Sequence, residues 1–241
     1  MDDEGNGAGG AQQPPGGDFE AAVARALRLL NGREGRKGRI LLGLAGPPAA
    51  GKSTVAGRLV EEVVRREGPE SAAYLPLDGF HLSNTQLDRL GLRDRKGAPE
   101  TFDAWGYLAL LGRVTADRFR DVYAPDFDRE LDEPVAARHV IRPHTRLVVT
   151  EGNYLAAPAD PWPAARRLLA ELWFVEADDT TRAERLLHRH RAGGRSREDA
   201  LARIAANDHP NGEYVKAARA DCDWVLRAAH LPPAPDGRSV L

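Results

Sequence analysis

The chain has 241 residues, a formal net charge of −2 and a single cysteine, Cys222. That length allows one large α/β domain, with or without a small lid, and a sizeable core. The near-neutral charge gives no support to broad nucleic-acid binding, no apolar run approaches a membrane span, and a lone cysteine excludes intrachain disulfides and multi-cysteine zinc sites.

Residues 1–17 are Gly-rich, polar and aperiodic, and read as a disordered tail. They contain no basic segment running into an apolar stretch, so a secretory leader is not expected and the cytoplasm is the expected compartment. Phe19, Val23, Ala26, Leu27 and Leu30 predict a helix over 19–30 that stops at Asn31-Gly32. Residues 39–45 read as a buried strand, and Val55, Leu59 and Val63 give the spacing of a helix over 55–66. A second strand is expected over 72–77, a short helix over 83–90 capped by Ser83 or Asn84, and a mobile charged loop over 93–101. Helical spacing returns over 104–119. Residues 121–143 are ambiguous, with short strands expected within 135–141. Further buried strands are predicted over 146–150 and 171–175, a helix from about 179, helical segments over 196–207 and 211–220, and a short strand over 223–226. Strands alternating with helices imply a mostly parallel sheet with helices on both faces. On this reading 18–230 is one domain, and 231–241 is a loose Pro-rich tail.

Between the first buried strand and its helix lies Gly46-Pro47-Pro48-Ala49-Ala50-Gly51-Lys52-Ser53-Thr54, a full match to the phosphate-binding pattern G-x-x-x-x-G-K-[ST]. Such a loop must turn sharply so that successive backbone N–H groups face an anion, and Gly46 and Gly51 can take the positive φ this demands. Donors from Ala50 onward are retained, and the following helix start adds favourable dipole. Lys52 would reach the β- and γ-phosphates, while the Ser53 hydroxyl would join a magnesium shell. ATP and Mg2+ are the expected ligands. Only Lys37, Lys52, Lys96 and Lys216 are lysines among 34 basic residues. Lys52 therefore stands out, and Lys96 is either part of another polar site or a surface lysine.

Two acids follow strand ends, where ligands of open α/β sheets sit: Asp78 in Leu77-Asp78-Gly79-Phe80-His81, and Glu151 in Thr150-Glu151-Gly152-Asn153-Tyr154. Transfer of a phosphoryl group to a hydroxyl needs a carboxylate to orient the hydroxyl and accept its proton, and another to support the metal. Asp78 suits the first role and Glu151 the second, though either could share both. Arg182, Arg185 and Arg189 share one helical face. They could close over the triphosphate as part of a lid near 182–197, with Gly193-Gly194 as a hinge; a solvated helix face is the rival reading.

The loop, Asp78-Gly79-Phe80-His81 and Glu151-Gly152-Asn153-Tyr154 together resemble the P-loop kinases that group uridine kinase, phosphoribulokinase and bacterial-type pantothenate kinase. Residues 95–103 resemble a segment of the pantothenate branch, and Pro125-Asp126-Phe127-Asp128-Arg129 is similar to the substrate-side segment of the wider group. The nearest resemblance is to a bacterial nucleoside/nucleotide kinase-like, or fructokinase-like, branch that carries a stretch such as Asn207-Asp208-His209-Pro210-Asn211. The resemblance implies the three-layer P-loop NTPase fold with a helical lid. It also implies Asp78 as base, Glu151 as a magnesium-linked acid, His81, Asp103 and Arg129 facing the phosphate acceptor, and Arg182, Arg185 and Arg189 in the lid. The His-x-Arg pair and the Ser-Phe-Tyr of uridine kinases are missing.

The expected activity is ATP- and Mg-dependent phosphorylation of a small-metabolite hydroxyl. A sugar pocket could draw on Asp103, Asn153 and Asp128; a nucleoside would want a stacking partner among Phe80, Phe102, Tyr107 and Tyr154; a pantothenate-like alcohol is the third option. A nucleotide-dependent switch ATPase is the alternative. No nucleic acid or membrane partner is expected, and the oligomeric state is left open, with a homodimer among the options.

Overall fold

In this computed structural model residues 16–32 and 38–227 are described. Strand β1 is Gly16–Gly17, and Asp18 caps helix α1 (Phe19–Asn31) by accepting the Ala21 N–H at 3.0 Å. Next come β2 (Ile40–Ala45), α2 (Lys52–Glu67), β3 (Ala72–Pro76), α3 (Asn84–Leu90) and α4 (Ala104–Ala116). A hairpin of β4 (Val122–Asp128) and β5 (Glu133–Ile141) precedes β6 (Leu147–Glu151), α5 (Trp162–Leu168) and β7 (Glu171–Glu176). Helices α6 (Asp179–Ala192), α7 (Arg197–Arg203) and α8 (His209–Ala217) lead to β8 (Trp224–Arg227).

Every residue of β2, β3 and β6 is buried, as strands covered on both faces must be. They belong to a six-stranded sheet in the order β1-β8-β7-β2-β6-β3, with each neighbouring pair parallel. The side chains of β2 divide by alternation between two cores. Ile40, Leu42 and Leu44 pack with α1 and α2, whereas Leu41 faces the layer that holds Tyr107 of α4 and Trp162 of α5. This is the expected three-layer α/β architecture. Leu44 of β2 and Pro76 of β3 both register against Glu151 of β6, so three adjacent strands finish at one level. The loops that leave those ends are thereby brought together.

Several local expectations are corrected. Gly16 and Gly17 are not part of a free tail: they pair with Val225 and Leu226 of β8. The remaining tail expectations, 1–15 and 228–241, lie outside the described residues. The segment over 93–101 is built from two 3-10 turns, Arg93–Arg95 and Pro99–Thr101, with Ala98 and Thr101 fully buried. Its charges mislead because Arg93, Asp94 and Glu100 face outward while its backbone is fastened inward. Helix α5 is an element for which the sequence reading has no assignment; Pro163 lies in its first turn, where proline is tolerated. The hairpin extends well beyond 135–141 because a register shift between Ala124 and Asp126 breaks the period-two pattern. Residues 197–217 form one continuous helical path in place of two separate helices: a π turn over Ile204–Asp208 joins α7 to α8, with the His209 N–H donating to Ile204 O.

Candidate active site

The phosphate loop leaves β2 at Gly46, whose φ is +154° and whose Cβ, were one present, would lie 2.5 Å from the Val175 carbonyl oxygen. Gly51, at φ +97°, opens α2. Between them Ala49 also takes a positive φ of 63°, and the Ala50 N–H donates to Pro47 O at 3.2 Å. Helix α2 begins at Lys52, as expected for the helix that follows a phosphate loop, so Lys52, Ser53 and Thr54 form its first turn. Lys52 is buried, and its ammonium donates to Asn153 Oδ1 at 2.6 Å and Pro47 O at 3.2 Å. Burial lowers its pKa, opposed by Glu151 and Asp78.

Glu151 is buried at the end of β6, where its Oε1 accepts from Ser53 Oγ at 2.9 Å and from Tyr74 OH at 2.8 Å. Asp78 opens a 3-10 turn (Asp78–Phe80) just beyond β3, and the Leu77 N–H donates to Glu151 O at 2.8 Å. The two acids are driven apart. Burial and the Asp78 charge raise Glu151 above the usual carboxylate range. For Asp78 burial acts upward too, but His81, Arg129, Lys52 and Arg189 outweigh it and hold it below that range. Tyr74 was missed at the sequence level: a tyrosine in a strand of buried apolar residues reads as core, and only its hydroxyl hinted at a polar partner.

Helix α6 lies against the loop. Arg182 is buried and donates through Nε to Pro48 O at 2.9 Å, and Arg185 Nη1 donates to Ala49 O at 3.2 Å. The Arg189 side chain is exposed over its surface as a whole, yet its guanidinium is crowded enough to lower its pKa. Desolvation comes first and the charge of Arg129 second, against Asp78, Asp208 and Glu151. Arg182 and Arg185 thus contact the loop, while the side chains of Arg185 and Arg189 stay exposed.

The other acceptor-side expectations divide. His81 lies beside Asp78, with Nδ1 2.8 Å from Asp78 O and its ring against Phe102 and Phe127 at centroid distances of 4.0 and 4.9 Å. Arg129, in the turn between β4 and β5, approaches Asp78 Oδ2 at 4.0 Å. Asp103 reaches this neighbourhood through its backbone, which donates to Phe80 O at 2.8 Å, but its carboxylate caps α4 by accepting the Gly106 N–H at 2.8 Å. Asp128 forms a contact with Arg138. Asn207, in the π turn, donates to Lys96 O at 3.0 Å and accepts from Arg95 at 3.3 Å, while Asp208 Oδ2 lies 2.8 Å from Nε2 of His190 on α6.

Comparison with known proteins gives the following. A Schizosaccharomyces pombe protein that carries the name of a candidate uridine kinase, C227.14, is 32% identical over 224 residues, covering 90% of this chain and 94% of its own. The ATP-dependent kinase-like protein notR' of Aspergillus versicolor is 35% identical over 149 residues, 58% of this chain and 86% of its own. Among solved structures, a candidate fructose transport system kinase from Silicibacter sp. TM1040 superposes with a TM-score of 0.75 at 33% identity, covering 84% of this chain and 97% of that one. No family model matches the chain.

Proposed function

Because the chain belongs to the P-loop kinases that group uridine kinase, phosphoribulokinase and bacterial-type pantothenate kinase, we propose that it transfers the γ-phosphoryl group of ATP to a hydroxyl of a small metabolite, with Asp78 as the base. It is an ATP-using kinase of a small metabolite; the residue roles are our reading of the geometry. One observation carries that reading: Ser53 and Glu151 in contact at 2.9 Å, Lys52 buried beside them, and Asp78 one strand away at the same sheet level.

Phosphoryl transfer proceeds through a loose transition state, so position and charge neutralisation matter more than strong basicity. In this reading the amides from Ala50 to Thr54 and the Lys52 ammonium hold the triphosphate, and exchange of Asn153 for a phosphate oxygen frees Lys52 to do so. Arg185 and Arg189 cover the phosphates from α6, while Arg182 anchors that helix to the loop. Asp78, kept ionised by the cations around it, accepts a hydrogen bond from the acceptor hydroxyl and takes its proton as the phosphorus–oxygen bond forms. His81, Arg129, Asn153 and the backbone around Asp103 border the acceptor.

The donor set suits magnesium. Ser53 Oγ and the Glu151 carboxylate are hard oxygens in contact at 2.9 Å, which suits an ion that takes the rest of its shell from phosphate oxygens and water. Ser53 and Glu151 would hold it, with Asp78 within reach of its water shell. When bound it would neutralise charge on the β- and γ-phosphates.

The test is ADP release from ATP and magnesium across sugars, nucleosides, pantothenate and related alcohols, with Asp78→Asn as control. Stimulation by one compound class, lost in the variant, is expected. Steady hydrolysis that no metabolite changes and a partner protein stimulates would replace this reading with a switch ATPase.

A further inference from the structure

We propose that the phosphate acceptor carries an anionic group, a carboxylate or a phosphate, which Arg129 binds while Asp78 engages the hydroxyl. This rests on the kinase reading above and narrows its substrate class.

Arg129 occupies the turn between β4 and β5, with 56% of its side chain exposed. Its contact with Asp78 at 4.0 Å is too long for a hydrogen bond, and Asp78 must keep an oxygen for the acceptor. Of the other acids at the turn, Glu130 is exposed and three have their own partners. Asp128 meets Arg138, Asp132 takes Lys96 at 2.9 Å, and both oxygens of Glu133 accept the Asn84 N–H, at 3.0 and 3.1 Å. A guanidinium with five donors and one loose carboxylate contact is therefore presented beside the base.

The turn that presents it is strapped in place. Lys96, with only 11% of its side chain exposed, donates to Asn84 Oδ1 at 2.7 Å, pairs with Asp132 and lies over the Phe127 ring at 4.8 Å. Asn84 Nδ2 donates to Asp132 O at 2.9 Å. So Lys96 belongs to a polar site and is not a leftover surface lysine. It acts as a positioning residue for Arg129.

The arrangement also selects by charge and shape. Against burial, the charges of Arg129 on the hairpin and Arg189 on α6 both hold the Asp78 pKa down, and after desolvation the repulsion between them lowers the pKa of Arg189. A neutral acceptor would leave that repulsion in place, while an anion on the hairpin side would relieve it, and a guanidinium fork matches carboxylate and phosphate oxygens in pairs. The four rings considered for stacking a nucleobase, Phe80, Phe102, Tyr107 and Tyr154, are already packed. Tyr107 and Tyr154 are fully buried, Phe80 lies edge-on to Tyr107, and Phe102 is covered by His81.

The experiment compares matched pairs: glycerate with glycerol, pantothenate with pantothenyl alcohol, and ribulose 5-phosphate with ribulose. ADP release is measured for the intact chain and for Arg129→Gln, Arg129→Lys and Lys96→Met, with Asp78→Asn as control. Only anionic members should stimulate, and the carboxylate and phosphate pairs separate the two anions. Arg129→Gln should raise KM for the active anion about 10- to 100-fold with the KM for ATP unchanged. Arg129→Lys should keep part of the preference. Lys96→Met should raise the acceptor KM more than it lowers kcat. Neutral members turned over as well as their anionic partners, or a preference that survives Arg129→Gln, would overturn the anionic acceptor and leave the kinase standing. A panel silent throughout, with Asp78→Asn indistinguishable from the parent, would overturn the kinase reading itself.

Discussion

The phosphate side of the site and its proposed acceptor side are built by different means. The phosphate side is one continuous strand, loop and helix start, shaped by backbone: Gly46 against the Val175 carbonyl, Gly51 at positive φ, and Glu151 in register with Leu44. The acceptor side is assembled from separate stretches, the turn after β3, the 93–103 segment, the β4–β5 turn and the π turn, joined by side chains such as Lys96, Glu133 and Asn207. The first is a local consequence of composition, and the second exists only once distant parts have packed. Substitutions on the two sides should therefore fail differently, in ATP handling on one and in acceptor handling on the other.

Asp78 lies where the two sides meet and should give the largest effect: Asp78→Asn lowers kcat by about 10²- to 10⁴-fold while ATP binding, measured by calorimetry, is spared. Next is Gly79, whose Cβ would lie 2.4 Å from the Pro125 carbonyl carbon and oxygen. Gly79→Ala pushes the hairpin off the base, and a displacement near 1 Å costs on the order of 100-fold in kcat/KM for the acceptor. An equal loss in ATP affinity would erase the distinction between the sides. On the phosphate side Tyr74→Phe removes one of the two hydroxyls that orient Glu151 Oε1, so the magnesium needed for half-maximal rate rises by about 10-fold. An unchanged magnesium titration would show that Tyr74 only fills space. Cys222 belongs to neither side: burial pushes its thiol from 9.0 up to about 12. At pH 8.5 the native protein should resist iodoacetamide and keep full activity, with labelling only after unfolding; rapid labelling of the native thiol would contradict this.

The same division explains what could be read from the chain. Strand, loop and helix periodicity around Gly46 to Thr54 is local, so the phosphate side and the two strand-end acids were legible, as was the three-layer sheet. Tyr74 was not, because its role depends on β3 lying beside β6. Lys96 looked like either surface or site, since its partners Asn84 and Asp132 are 12 and 36 residues away. Asp103 was expected to face the acceptor, but a carboxylate ahead of a helix start had a cap to make. The hairpin was obscured by its bulge, and the π turn by Pro210, which normally announces a break.

The π turn has a mechanical meaning. It introduces a slip of phase into an otherwise regular rod running from Arg197 to Ala217. Ahead of the slip Arg203 grips the carbonyl of Lys96, within it Asn207 and Asp208 hold the acceptor segment and α6, and past it Lys216 reaches Asp179 at 2.6 Å. Because a π turn accommodates one extra residue, deleting the exposed Ala205 should let it relax to α-helix and leave Lys216 within reach of Asp179. One shaft thus ties the 93–101 segment to α6, and the extra residue inside it sets the phase of both contacts.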